Sequence, residues 1–216
     1  MISEGDEIDF EPGSDLPDHF THWRFPIPES YTVSPTDHPD SLRLNPSRLN
    51  LTALNGNYAG AEGQSFVGRR QQDTLFTYSV DLDFRPTVAE EEAGVSAFLT
   101  QNHHLDLGVV LLPTASSSNA NENGTGELIP HLRARGESEA YGPEIAIPLP
   151  DSWRDTKLRL EIKASNMTHY ALSAGPADAM SEMKTIVDVS NEAVSWGFTG
   201  KHSFLPIAMN KRFCRR

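Results

Sequence analysis

From Phe76 to Phe84 an apolar side chain occupies every second position: Phe76, Tyr78, Val80, Leu82 and Phe84 alternate with Thr77, Ser79, Asp81 and Asp83. Successive side chains of an extended chain point to opposite faces, so this pattern predicts a half-buried strand with one wet face. The strand is fed by Phe66-Val67-Gly68-Arg69-Arg70-Gln71-Gln72. Two adjacent arginines on an alternating strand cannot both face water, so one of Arg69 and Arg70 turns inward. A buried guanidinium needs a carboxylate or carbonyl partner, and Glu91, Glu92, Asp81 and Asp83 are the candidates.

Further short alternations follow the same rule. Leu42 and Leu44, then Leu49 and Leu51, flank Asn45-Pro46; Val95, Ala97 and Leu99 follow a turn at Ala93-Gly94. Leu105, Leu107, Val109 and Leu111 alternate, as do Leu158, Leu160, Ile162 and Ala164. Pro148 and Pro150 around Leu149 mark an edge or a connection, because proline cannot donate to a sheet ladder. Residues 114–127 are low in complexity and read as a long loop. Helical periodicity is confined to a turn near Pro176–Met183, and there is no internal repeat. Many short strands separated by turn signals predict an all-β sandwich or barrel, and 216 residues suit one such domain.

Charge and composition exclude several classes. A net charge of −12 argues against nucleic acid, which demands clustered Lys and Arg. The one basic cluster, Lys211-Arg212-Phe213-Cys214-Arg215-Arg216, is a short terminal tail. There is no apolar run of membrane-spanning length, and the acidic N-terminus lacks the apolar core of a secretory signal. A lone Cys214 excludes an internal disulfide framework. Sequons at Asn50, Asn123 and Asn166 favour a secreted parent only mildly. Phosphate loops, zinc-type Cys/His spacing and a Gly-x-Ser-x-Gly elbow do not occur.

Three constellations bear on chemistry. His103-His104-x-Asp106 can place only His104 on the same strand face as Asp106, as a structural hydrogen bond or a contact to a sugar; no third metal ligand is evident. Trp23 and Trp196 are expected in the core, whereas Trp153, after Pro150-Asp151-Ser152, is expected at an exposed turn. Glu7-Ile8-Asp9-Phe10-Glu11 resembles the catalytic Glu-x-Asp-x-Glu strand of family 16 glycosidases. On a strand its outer carboxyl groups can lean to the roughly 5 Å of a retaining mechanism. It lies, however, in an acidic Pro/Gly stretch that suits a solvated linker better than a central strand.

Six motifs in one order carry a wider resemblance: His22-Trp23-Arg24-Phe25-Pro26, Phe66 to Gln72, Leu82-Asp83-Phe84-Arg85-Pro86, Glu91-Glu92-Ala93-Gly94, His103 to Gly108, and Trp196-Gly197-Phe198-Thr199-Gly200. Together they resemble the C-terminal concanavalin A-like domain of family 43 glycoside hydrolases, the β-xylosidase and α-arabinofuranosidase group. The resemblance implies a jelly-roll β-sandwich of two antiparallel sheets. It also implies that the catalytic acid and base lie on a separate five-bladed propeller, so this domain supplies no catalytic residue. Xylan or xylo-oligosaccharide and the propeller are the implied partners, with neither nucleic acid nor membrane among them. No cofactor is expected, and no pattern in the sequence supports a structural calcium ion.

On that resemblance, residues 1–17 match the connector after the propeller, as though the chain begins where an enzyme has been cut. Residues 18–200 form the sandwich, and residues 201–216 a divergent tail. Tyr58, in the Gly-rich stretch from Asn55 to Gly63, falls where the family's loop looks towards the active-site mouth. Tyr58, Arg69, Arg70, His104 and Trp153 are therefore the candidate substrate- or domain-facing residues. After Gly200 the family's closing strand is replaced by Lys201 to Asn210, in which Pro206 is ill-suited to a central strand. The leading expectation is a non-catalytic module that supports the propeller or binds xylan. The alternatives are a stand-alone carbohydrate-binding module or lectin, a glycosidase using Glu7 and Glu11, or a scaffold without sugar affinity.

Overall fold

The computed structural model describes residues 5–52, 63–114, 127–138 and 141–195, and the backbone of residues 204–211. The strands are β1 (Phe20–Thr21), β2 (Tyr31–Val33), β3 (Leu42–Leu44), β4 (Ser65–Arg70), β5 (Phe76–Leu82), β6 (Glu91–Thr100) and β7 (His103–Pro113). They continue as β8 (Leu128–Glu137), β9 (Ile145–Pro148), β10 (Leu158–Ala164), β11 (His169–Pro176), β12 (Lys184–Ser190) and β13 (Phe204–Lys211). Seven strands form one antiparallel sheet in the order β1-β4-β13-β6-β7-β8-β9, and four form a second in the order β12-β11-β10-β5. The short hairpin β2-β3 stands apart.

The core lies between the two main sheets. Ala93, Val95 and Ala97 of β6, Leu105, Leu107 and Val109 of β7, and Leu132 and Ala134 of β8 face Leu82, Leu158, Leu160, Ile162, Leu172 and Ala174 of the smaller sheet. These residues recur at every second position because a strand presents alternate side chains to one face. Each buried Leu or Ile contributes about 1.5–3 kcal/mol from the area it removes from water. β5 follows the expected alternation, with Thr77, Ser79 and Asp81 exposed and the residues between them partly or fully buried.

Three elements depart from the sequence reading. Leu49 and Leu51 lie outside any strand, yet both are buried, so their alternation records packing under a loop and not a ladder. The turn near Pro176 is a 3-10 turn at Met180–Glu182. The segment after Gly200 enters the large sheet: β13 pairs with β4 on one side and β6 on the other. Pro206 sits opposite Gly68 of β4, while on the β6 side the pairing passes from Phe204–Phe98 to Ile207–Val95 and leaves out both Leu205 and Pro206. The ladder is interrupted where the proline has no N–H to give, and the pairs on either side hold the strand in place.

The acidic N-terminal segment also makes contacts. Asp6 pairs with Arg69, Phe10 bridges to Asp40, and the Phe10 ring lies 6.3 Å from that of Phe20.

Candidate functional site

The outer face of the seven-stranded sheet is the unusual one, because it is buried and charged. Register explains its composition. Glu92, Gly94, Ser96 and Phe98 of β6 stand opposite Val110, Gly108, Asp106 and His104 of β7. On the next strand Asp106 faces Arg135 and Gly108 faces Arg133. All of these positions lie on the side turned away from the sandwich core, since their odd-numbered β6 and β7 neighbours fill that core.

Arg133 donates through Nε to Glu92 Oε1 at 3.0 Å and through Nη2 to Glu92 Oε2 at 2.6 Å, a bidentate fork on a side chain only 3% exposed. Arg135 bridges Glu92 Oε2 at 3.0 Å and Asp106 Oδ2 at 3.4 Å. His104 Nδ1 lies 2.9 Å from Asp106 Oδ1, and its Nε2 is buried without a hydrogen-bond partner. Burial would raise the Asp106 carboxyl, but the adjoining His104 ring and the Arg135 guanidinium outweigh it and hold the pKa at about 2. For Arg133 burial disfavours the cation, and the Glu92 fork more than compensates, so its pKa is raised.

Gly94 and Gly108 make the close packing of this layer possible. A Cβ on Gly94 would come 2.1 Å from the Leu107 carbonyl oxygen, and one on Gly108 would come 3.3 Å from Glu92 Oε1. Glu90, at the entry to β6, adopts φ +67°, a left-handed conformation that costs about 1 kcal/mol or more for a residue other than glycine. Its carboxylate adds a 3.2 Å contact to Arg133 Nη1.

Aromatic rings continue the layer towards the surface. His104 stacks on Phe98 with centroids 5.5 Å apart, and Phe98 meets Phe66 at 4.9 Å and Trp23 at 5.2 Å. Beyond Trp23 the chain exposes an apolar ridge: Phe25 is 97% exposed, and Trp23 and Ile27 are also open to solvent.

The candidate residues fare differently. His104 and Asp106 pair on one strand face, as their spacing requires. Arg69 is the inward-turning arginine, pairing with Asp6 and lying 3.4 Å from Gln72 Oε1, so none of the four proposed carboxylates is its partner. Arg70 is exposed. Trp153 corrects the expectation of an exposed turn: the 3-10 turn Asp151–Trp153 tucks the indole into the core at 3% exposure. Its Nε1 donates to Glu182 at 3.0 Å, and Lys184 Nζ lies 5.3 Å from the ring centroid. Trp23 lies at the rim and not in the core. Tyr58 and Trp196 fall outside the described residues.

Arg133 and Arg135 were missed, although His131-Leu132-Arg133-Ala134-Arg135 alternates as clearly as β5 does. Glu7, Asp9 and Glu11 are exposed and lie on no strand of either main sheet, so the rigid, packed setting of a catalytic strand is not met. Among the described residues no group of three or more His, Cys, Asp or Glu side chains is placed to hold a metal ion. Among the described residues no helix is long and apolar enough to cross a membrane.

The family comparison agrees with the two-sheet sandwich. The family model described as the β-xylosidase C-terminal concanavalin A-like domain matches residues 7–211, which includes β13. The chain belongs to this family. A curated relative, the non-reducing end α-L-arabinofuranosidase of Bacteroides ovatus, is 28% identical over 166 residues, covering 76% of this chain and 27% of the relative. Among solved structures, the Bacteroides ovatus xyloglucan-locus family 43 protein aligns at TM-score 0.66 and 24% identity, over 96% of this chain and 36% of that one. The xylan β-1,4-xylosidase of Bacillus halodurans aligns at TM-score 0.68 and 18% identity, over 97% and 36% respectively. The concanavalin A-like chain thus spans between a quarter and about a third of the length of these relatives.

Proposed function

We propose that this concanavalin A-like domain is a non-catalytic, carbohydrate-associated module that supports a family 43 catalytic propeller and helps to hold xylan-type substrate. The observation that carries the reading is the match of residues 7–211 to the C-terminal concanavalin A-like domain. The buried carboxylates support it. Glu92 is committed to two arginines, and Asp106 is pulled down to about 2, whereas the acid of a glycosidase pair needs its pKa raised. The xylosidase and arabinofuranosidase named among the relatives favour xylan and arabinoxylan as the polysaccharides. The ridge of Trp23, Phe25 and Ile27 is the surface best suited to meet the propeller, because an exposed apolar patch of this kind marks an interaction site.

Affinity electrophoresis through gels containing soluble xylan or arabinoxylan tests the reading. The expected result is retardation of the chain with no release of nitrophenol from aryl-xyloside. Aryl-xyloside hydrolysis abolished by Glu7→Gln would overturn the non-catalytic assignment. Migration unchanged by every polysaccharide would overturn the sugar-holding part.

A further inference from the structure

Away from the charged face, an open cleft of about 280 Å³ lies between the two sheets at one margin of the sandwich. Its lining includes the buried Leu82, Val109, Leu149 and Leu158 together with Phe84 and Pro130. Arg85, Arg154, Asp155 and Thr156 stand at its rim. Val109 lies roughly 17 Å along β7 from His104, counting the strand rise per residue. The cleft is therefore remote from the Trp23–Phe25 ridge and would stay open when that ridge is covered.

The rim groups are held loosely. Arg85 Nε lies 3.5 Å from Asp83 Oδ1, and its Nη1 lies 3.6 Å from Asp155 Oδ1. A committed charge-assisted hydrogen bond is nearer 2.7–2.9 Å, so these donors and acceptors have capacity for a ligand. Arg154 makes a tighter contact of 2.8 Å, to Asp151. The two guanidiniums are offset by Asp83, Asp151 and Asp155, which leaves donors and acceptors mixed and no positive field to attract an anion.

A lining that joins apolar side chains and one aromatic residue, Phe84, to exposed donors and acceptors is the complement of a sugar ring, which presents C–H faces and hydroxyls that both donate and accept. The volume falls just below the roughly 300–1,000 Å³ of drug-sized ligand sites, which favours one ring over a chain of them. The geometry points to a binding site in this cleft that takes a single neutral pentose unit of the polysaccharide. This rests on the carbohydrate-associated reading above and adds where the sugar sits.

Titration of the isotope-labelled full chain with methyl β-xylopyranoside and methyl α-arabinofuranoside, followed by NMR, tests it. Shifts should concentrate at the Thr156 amide and at the Nε–H signals of Arg85 and Arg154. The double variant Arg85→Ala/Arg154→Ala should weaken binding at least about tenfold, as expected for lost hydrogen bonds to charged groups, with an unchanged thermal midpoint. Phe84→Leu, which keeps apolar volume but removes the ring, should also weaken binding. Full affinity in both variants, with the wild type still retarded by xylan, would overturn the cleft while leaving the module's sugar association intact. A wild type that is neither shifted by the glycosides nor retarded by xylan would overturn both.

Discussion

Two arginine pairs on the same large sheet have opposite fates. Arg69 and Arg70 are adjacent in β4, so alternation sends them to different faces; Arg69 reaches an exposed-segment aspartate and Arg70 is exposed. Arg133 and Arg135 are two apart in β8, so they share a face with Glu92 and Asp106 and are largely buried there. The contrast shows that conspicuous charge in a strand is not what buries it. Burial follows when the register brings carboxylates to the same face in a number that neutralises the guanidiniums, since an uncompensated buried charge is costly.

The comparison predicts a hierarchy of effects. Glu92→Ala should be the most damaging change, because it strips Arg133 of its fork and Arg135 of one partner inside a buried layer. A loss of about 3–5 kcal/mol is expected for breaking such a network, measured as a drop in the urea midpoint. Asp106 should govern the acid limb of stability. Its folded pKa of about 2 lies below the ordinary 3.8, so its contribution is complete above the unfolded value and is lost as pH falls from about 4 towards 2. That contribution is about 2 kcal/mol; Asp106→Asn should lower stability at neutral pH and flatten the decline between pH 4 and 2.

Arg69→Ala should cost no more than about 1 kcal/mol, since the partner Asp6 is partly exposed and such ion pairs are screened by solvent. A loss as large as that of Glu92→Ala would break the contrast between the two pairs. Phe25→Ser should leave the thermal midpoint of the isolated chain within about 0.5 kcal/mol of wild type in equivalent stability, as for other surface changes. The same variant should abolish any stabilisation of a family 43 propeller lacking its own C-terminal domain, measured by mixing the two and melting the propeller.

Much of the fold was legible because it depends on local periodicity. The strands at Phe76, Val95, Leu105 and Leu158 follow from alternation, and the spacing of His104 and Asp106 fixed their pairing. Trp153 was misread because a turn sequence says where the backbone bends and not which side of the bend the indole takes. In the fold Glu182 and Lys184, far along the chain, receive that side chain. Pro206 lacks an N–H, yet a central strand accommodates it by keeping its place opposite Gly68 of β4 and leaving Leu205 and Pro206 out of the pairing with β6.

An all-β fold is written in the strand period and the family in the order of the motifs, because both are properties of neighbours along the chain. Which charges are buried, which tryptophan is core and where a cleft opens between the sheets were settled by tertiary packing. Those outcomes depend on cross-strand register and sheet order, which bring residues as distant as Glu92 and Arg133 within hydrogen-bonding reach.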